Sequence, residues 1–427
     1  MIMRIEDTDL DRSSTAYGDQ IIEALEWLGI NWDEGPYYQS QHATLYAKVI
    51  DQLISERRLY PCFCSDELLE KDRQDFAKKS LPPVYVGRCK ELTSEDLEKK
   101  KGEPYALRFI VPGDRMEYHD AIKGEISIDL GLVGDFIVRR SNGMVTYNFA
   151  AAVDDAMMKI THVIRGEDHV SNTTRQMLII DSIGLEPPIY AHLPLLLADN
   201  GKKLSKRDPG AAFSDLMDGG YLPEAVMNFL VHIGWSRAEG DEEMDAKDMI
   251  KDFSLGRVSK SPAKYDIEKL RWFNAKKIRK ASAERILEFG RKFIKKYDLQ
   301  FKGLKKEEQT FLINAVAENI EILSDLDHQL AIFFEYNVEP KVALEVSKYP
   351  VKEVLEAFIK VSDIEAFDKM ISELKIVLPE VKGKGLFMPI RAALSGRLKG
   401  PELKHIYSWL EPGLRRERAE KFLAKMG

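Results

Sequence analysis

The spacing of apolar residues divides the chain near Arg207. Before that point, short apolar runs of strand length alternate with segments of helical period. After it, apolar residues recur mostly at intervals of three and four, the mark of amphipathic helices. Ile2, Met3 and Ile5 read as the end of a buried strand running straight into Glu6, Asp7 and Asp9. Ile21, Ile22, Leu25 and Leu28 predict a helix, with Ser13 or Ser14 as its cap. A helix over 43–56 has Leu45, Val49 and Leu53 on one face, and a shorter one is expected over 65–79. Strand patterns follow at 105–111, 125–130 and 135–140. The last enters Asn142-Gly143, a dipeptide that favours a type I′ hairpin, so 144–152, with Tyr147 inside it, is predicted to be the return strand. Val153-Asp154-Asp155 opens a loop or short helix. A strand at 159–164, a helix at 172–183 and a strand at 190–197 then complete half of a doubly wound α/β fold. Beyond Arg207, helices are expected at 223–233, 283–297, 307–323, 351–361 and 366–374.

Length refines this picture: 427 residues suggest roughly three domains. With 44% apolar and 31% charged residues the chain can bury proper cores. No run approaches the ~20 apolar residues of a membrane span. The opening MIMRIEDTDLDRSS has no apolar core of signal-peptide length, and the three cysteines suit a reducing compartment, so a cytoplasmic location is expected. A net charge of -7 does not advertise a nucleic-acid binder. From Lys382 onward, however, lysine and arginine far outnumber Glu402, Glu411, Glu417 and Glu420. Such a basic tail fits local binding of a polyanion, although helix faces rich in Lys and Arg look the same.

Candidate chemistry gathers at the predicted strand ends, where ligands bind in α/β sheets. The first cluster is Arg4 to Asp9, RIEDTD, and the second is Arg165-Gly166-Glu167-Asp168-His169. The third follows the strand at Leu195–Leu197: a turn at Asn200-Gly201, then Lys202, Lys203, Ser205, Lys206 and Arg207. A buried strand that opens into a basic loop suits an anionic ligand, because ammonium groups can follow phosphate charge as it moves. Taken singly, KLSKR reads equally as a solvated loop, and Glu6, Arg165 and Asp168 as local ion pairs.

Together, RIEDTD, Tyr147, VIRGEDHVSNT and KLSKR resemble the class I aminoacyl-tRNA synthetases, and among them the bacterial-type glutamyl-tRNA synthetases. LFMPIRAALSGRLKGPEL at 386–403 extends the resemblance into the second half. It implies an enzyme, a glutamate–tRNA ligase, that uses ATP and Mg²⁺ to form glutamyl-adenylate and then esterifies tRNA(Glu). Lys206 matches the family lysine that stabilises the leaving pyrophosphate, with Lys203 as a second contributor. Arg165 matches the arginine that pairs with the substrate carboxylate, Glu6 and Tyr147 match residues around the amino acid, and Asp168 and His169 fall where the family contacts ATP. The implied fold is a Rossmann-like α/β catalytic domain, N-terminally incomplete, at 1–44 and 143–205. An inserted α+β domain at 45–142 would take the tRNA acceptor end, a helical region at 206–282 the stem, and an α-helical domain at 283–427 the anticodon. A β-barrel at 283–427 would favour the glutaminyl relatives instead. The short glutamyl-queuosine-type paralogues are excluded by length. No DNA or membrane partner is expected, and the protein is expected to be a monomer.

Cys62-x-Cys64 and Cys89, separated by 24 intervening residues, match a zinc site of some bacterial glutamyl-tRNA synthetases. The family's fourth ligand lies two positions after the third cysteine, which here is Glu91. A carboxylate can ligate zinc; a relic of three thiols without metal is the rival reading. The family's histidine-containing HIGH motif belongs upstream of RIEDTD, and the sequence holds no such tetrad. The expectation is therefore an inactive chain with an uncovered sheet edge at Ile2–Ile5. The alternatives are a non-catalytic tRNA-binding paralogue and a non-discriminating enzyme that also charges glutamine tRNA.

Overall fold

The computed structural model describes residues 1–7, 15–198, 200–205, 208 and 210–426. It divides into two compact units, Met1–Asp208 with Leu230–Tyr265, and Pro209–Phe229 with Asp266–Gly427. Residues 206–282 are thus shared between the two.

The first unit begins with β1 (Ile2–Ile5), α1 (Thr15–Trp27) and β2 (Glu34–Tyr38). β1 and β2 are parallel, with Arg4 opposite Tyr37 and Ile5 opposite Tyr38. Parallel neighbours need a crossover, and α1 supplies it. β2 escapes the sequence reading because its Gly-Pro pair looks like loop. Next come α2 (Ala43–Ser55), β3 (Leu59–Cys62), α3 (Asp66–Lys78) and α4 (Ser94–Lys99). Ser65 caps α3 by accepting from the Leu68 N–H. Then follow β4 (Ala106–Phe109), β5 (Arg115–Asp120), β6 (Gly124–Asp129) and β7 (Phe136–Arg139). β3, β4 and β7 form an antiparallel sheet, and β5 and β6 a separate hairpin.

Two expectations fail directly after β7. The loop spans Ser141 to Gly143, closed by Arg140 N–H to the Met144 carbonyl (2.8 Å). Only Gly143 in it has positive φ, 88°, so it is a three-residue turn and not the type I′ turn, which needs two. The return reduces to a single bridge between Arg139 and Val145. Residues 147–157 form a helix, α5 (Tyr147–Met157), not a strand. Val145, Thr146 and Tyr147 favour strands, but the Ala150-Ala151-Ala152 run favours helix, and burial decides. Every residue from Phe149 to Asp155 is buried in that helix. Its small alanines let α6 (Val170–Ser182) pack closely, and Phe149, Val153, Leu178, Ile179 and Ile180 share one core with Leu53 and Phe109. Of the loop or short helix expected at Val153-Asp154-Asp155, the structure takes the helix, but these residues sit inside α5 rather than opening a new element, and both aspartates are buried.

β8 (His162–Gly166) and β9 (Ile189–Leu193) pair in parallel around α6. The predicted strand at 190–197 breaks at Pro194, which has no N–H for a ladder. It resumes as β10 (Leu196–Leu197), which pairs instead with β11 (Ala263–Lys264).

In the second unit, every regular element among the described residues is helical. Helix Val351–Val361 buries Val351, Val354, Leu355 and Phe358, the spacing that one core-facing stripe requires. Burying each of these side chains is worth about 1.5–3 kcal/mol before entropy is charged against it. The expected helix at 283–297 stops at Gly290, where an added Cβ would meet Leu326 Cδ1 at 2.6 Å. Two arginines of the basic tail belong to the core. Arg415 donates to the carbonyls of Tyr407 (2.9 Å) and Ser362 (3.2 Å), and Arg418 to that of Leu394 (2.6 Å). No helix is long and apolar enough to cross a membrane among the described residues.

Candidate active site

The carboxyl end of β1 carries Arg4 and Glu6. The Arg4 guanidinium donates to Asp155 Oδ1 (2.7 Å) and Glu6 Oε1 (3.2 Å). Burial would lower the Arg4 pKa, but Asp155 and Glu6 outweigh it and raise it. Burial pushes the Asp155 carboxyl up, against the pull of Arg4. Asp154, one helix position earlier, accepts from Gln39 Nε2 (2.9 Å) and Tyr46 Oη (2.7 Å), and its Oδ1 lies 2.8 Å from His42 Nδ1. A buried carboxylate with that many donors is satisfied and fixes the start of α2 against α5. Asp7 closes the same corner, accepting from the Ser40 N–H (2.8 Å) and hydroxyl (2.6 Å).

Tyr147 opens α5 beside Glu6 and Arg165. Burial raises its phenol pKa, the Glu6 carboxylate adds to this, and Arg165 opposes it. Its ring meets His169 edge to face at 5.9 Å. At the end of β8, Arg165 donates from Nη2 to Thr173 Oγ1 (2.7 Å) and from Nε to His192 Nε2 (3.4 Å). Among the described residues, no carboxylate lies within ion-pair distance of Arg165. The next residues tie β8 to its neighbours. Glu167 pairs with Lys123 and accepts from the Leu195 N–H (3.1 Å). At Gly166 an added Cβ would lie 2.7 Å from Asp168 Oδ1, so a larger residue there would push the Asp168 carboxylate aside.

Asp168 Oδ2 accepts from Lys203 Nζ at 2.7 Å, and this bond holds the Asp168 carboxyl below its ordinary pKa. The basic loop is thereby joined to the end of β8. Leu197 and Lys203 also form a bridge across the turn, where Gly201 takes φ 74°. An open cavity of about 450 Å³ lies beside them, lined by Gly166, Asp168, Pro194, Lys203 and Leu204 among others. Lys206, predicted from the sequence, lies outside the described residues, as do Ser13 and Ser14.

So the structure brings Glu6, Tyr147 and Arg165 to one place, and Asp168, His169 and Lys203 to the adjoining strand end. Sequence reasoning gave no role of their own to Arg4, Asp155, Thr173 or His192. Arg4 stands within RIEDTD and was the easiest to find. His192 sits in an apolar strand, where its burial conceals it.

Cys62, Cys64 and Cys89 place their sulfurs within 4.8 Å of one another. Cys64 and Cys89 are 3.7 Å apart, close to the ~3.8 Å edge expected of sulfurs at ~2.3 Å around a tetrahedral zinc. Glu91 is exposed and does not join them. An oxygen does reach the group: the Tyr85 hydroxyl lies 3.5 Å from Cys62 Sγ and 3.4 Å from Cys64 Sγ. The reason is local. The 85–89 turn folds back so that the Cys89 N–H donates to Tyr85 Oη (3.0 Å). Arg108 Nε donates to Cys62 Sγ (3.2 Å), which favours a thiolate there.

Residues 1–272 match the family model described as tRNA synthetases class I (E and Q), catalytic domain, and residues 262–423 match the anticodon binding domain. The chain belongs to the class I tRNA synthetases (E and Q). In this chain an α/β catalytic domain precedes a helical anticodon domain. Among known relatives, the chain is 39% identical to the glutamate–tRNA ligase of Heliobacterium modesticaldum, over 96% of this chain and 87% of that protein. It is 39% identical to glutamate–tRNA ligase 2 of Thermoanaerobacter pseudethanolicus, over 100% and 92%. A crystal structure of a glutamate tRNA ligase from Elizabethkingia meningosepticum, in complex with its amino acid, superposes with a TM-score of 0.86 at 28% identity, covering 100% of this synthetase chain and 93% of the other. No finding supports the expected inactivity or the non-catalytic alternative.

Proposed function

We propose that this synthetase is a glutamate–tRNA ligase. The observation that carries this reading is similarity to proteins named glutamate–tRNA ligase along nearly the whole chain, at 38–40% identity. A glutamate carboxylate oxygen attacks the α-phosphorus of ATP, and pyrophosphate leaves. A hydroxyl of the tRNA end then attacks the adenylate carbonyl, and AMP leaves. In such displacements the protein's part is positioning and charge neutralisation. Arg165 grips the substrate's side-chain carboxylate, and Glu6 with Tyr147 lines the amino-acid site, where an anion suits the α-ammonium group. Asp168 and His169 contact ATP, while Lys203 and Lys206 meet the pyrophosphate. Mg²⁺, when bound with ATP, shares the neutralisation of that charge. A cytoplasmic location accords with this activity.

We assign 1–44 and 143–205 to catalysis and 45–142 to the acceptor end. In support, the antiparallel strands β3 to β7 fall in the chain between the parallel pairs β1–β2 and β8–β9, and a cavity of about 320 Å³ opens between Asp7, Ser40, Arg139 and Met144. Residues 206–282 would contact the stem and 283–427 the anticodon. The helical second unit favours the glutamyl over the glutaminyl reading. The test is glutamate-dependent exchange of pyrophosphate into ATP with tRNA(Glu) present; exchange with glutamine alone would overturn the assignment.

For the cysteine cluster we propose structural zinc held by Cys62, Cys64, Cys89 and the Tyr85 oxygen. Elemental analysis should find about one zinc per chain in protein purified without chelators. Cys89→Ser should abolish it and lower the melting temperature, since structural zinc contributes directly to folding. Tyr85→Phe should speed zinc loss to a chelator, and Glu91→Gln should leave it unchanged. Metal-free wild-type protein would favour the relic of three thiols.

A further inference from the structure

We propose that Asp120 and His192 are positioning residues for Arg165, orienting its guanidinium toward the substrate carboxylate through a chain of fixed hydrogen-bond directions. The proposal rests on the role given to Arg165 above. Asp120 ends β5, and His192 lies in β9, 72 positions along the chain; both are fully buried. Asp120 Oδ1 accepts three backbone N–H groups, from Lys123 (2.8 Å), Ile122 (3.0 Å) and His192 (3.2 Å). Its Oδ2 lies 2.6 Å from His192 Nδ1. Burial would raise the Asp120 pKa, but these hydrogen bonds outweigh it and hold the group a carboxylate. Burial likewise lowers the His192 pKa, against the pull of Asp120.

A neutral imidazole facing a carboxylate at Nδ1 carries its proton there, so Nε2 is left an acceptor. Nε2 meets Arg165 Nε (3.4 Å) and Thr173 Oγ1 (3.0 Å), and Thr173 Oγ1 in turn accepts from Arg165 Nη2 (2.7 Å). One edge of the guanidinium is therefore held by two acceptors, both buried. A planar fork fixed along one edge has its remaining edge aimed, which bidentate recognition of a carboxylate requires. Packing adds to this: the Tyr190 ring stacks on His192 at 6.2 Å, with the Arg165 guanidinium carbon 5.3 Å from its centroid. A buried carboxylate–imidazole pair kept only for stability has no need of this directionality, since well-packed apolar residues of similar size often serve as well in such places.

The test uses Asp120→Asn and His192→Asn. In D120N the amide oxygen can keep the backbone donors, and the amide nitrogen then donates to Nδ1. That reverses the tautomer and points an N–H of His192 at the N–H of Arg165. H192N keeps a donor for Asp120 but removes the acceptor for Arg165. Both variants should raise the glutamate KM in pyrophosphate exchange about 10- to 100-fold while the ATP KM stays within about threefold. Imidazole ¹⁵N spectra should show His192 protonated at Nδ1 in the wild type and at Nε2 in D120N. Wild-type glutamate KM in both folded variants would overturn the proposal. So would a parallel loss in glutamate KM, ATP KM and melting temperature, which is what a merely structural pair would give. A wild-type protein that exchanges no glutamate would sink the functional reading instead, and the tautomer measurement would still decide whether Asp120 sets the donor pattern facing Arg165.

Discussion

Lys206→Ala slows adenylate formation about 100- to 1,000-fold while leaving glutamate and tRNA affinity nearly unchanged; that is the expected result of removing one preorganised donor to charge that develops in the transition state. Lys206 follows a β-bridge and a charged anchor. β10 leads into the turn closed by the Leu197–Lys203 bridge, and Lys203 is tied to Asp168 at 2.7 Å. In the proposed role, the Lys206 ammonium interacts more strongly with the leaving pyrophosphate than with bound ATP, so its loss should fall on rate more than on ground-state binding. Lys203→Ala should cost less. Lys203 is already paired and mostly solvent-exposed, at 59%, where screening weakens charge effects. Single-turnover exchange measured on the protein from its whole reading frame checks both. Unchanged turnover in Lys206→Ala would remove that residue from the mechanism.

Arg165→Lys lowers kcat/KM for glutamate about 10- to 150-fold, chiefly through KM. The charge survives, but the planar fork does not. Lysine cannot both grip a carboxylate through two parallel bonds and satisfy Thr173 and His192, which Arg165 now joins through Nη2 and Nε. One lost hydrogen bond to a charged group is worth about 1.5–3 kcal/mol, which converts to the range given. The ATP KM should hardly move. Steady-state kinetics with glutamate and ATP varied in turn would show it, and unaltered glutamate kinetics would make Arg165 a structural residue.

Much of this was legible in the sequence because local and long-range preferences agree. Helix Val351–Val361 starts and ends where its apolar period does, and the helix expected over 65–79 forms at Asp66–Lys78. Misreadings arose where the two conflict. Val145 to Tyr147 look like a strand, yet the alanines behind them allow a helix that buries both of its sides. Pro36 makes β2 look like loop, and β5, RMEYHD, carries too many charges to read as a strand from its composition. The site residues within one motif were found together, as in RIEDTD and RGEDH. Asp120 and His192 were not, because nothing in one position announces the other. Glu91 had the expected spacing for zinc, but the turn at 85–89 brings Tyr85 to the thiols instead. The basic tail was only partly a surface: Arg415 and Arg418 are spent on buried carbonyls.

The most direct measurement is glutamate-dependent incorporation of labelled pyrophosphate into ATP, followed by esterification of labelled glutamate to tRNA, on the protein expressed from its whole reading frame. Running tRNA(Glu) and tRNA(Gln) side by side also tells a discriminating enzyme from a non-discriminating one. A glutamate–tRNA ligase should support exchange with glutamate and not with glutamine, and should leave the label on tRNA(Glu). Tight tRNA binding with no exchange, or exchange driven by glutamine in place of glutamate, would contradict it.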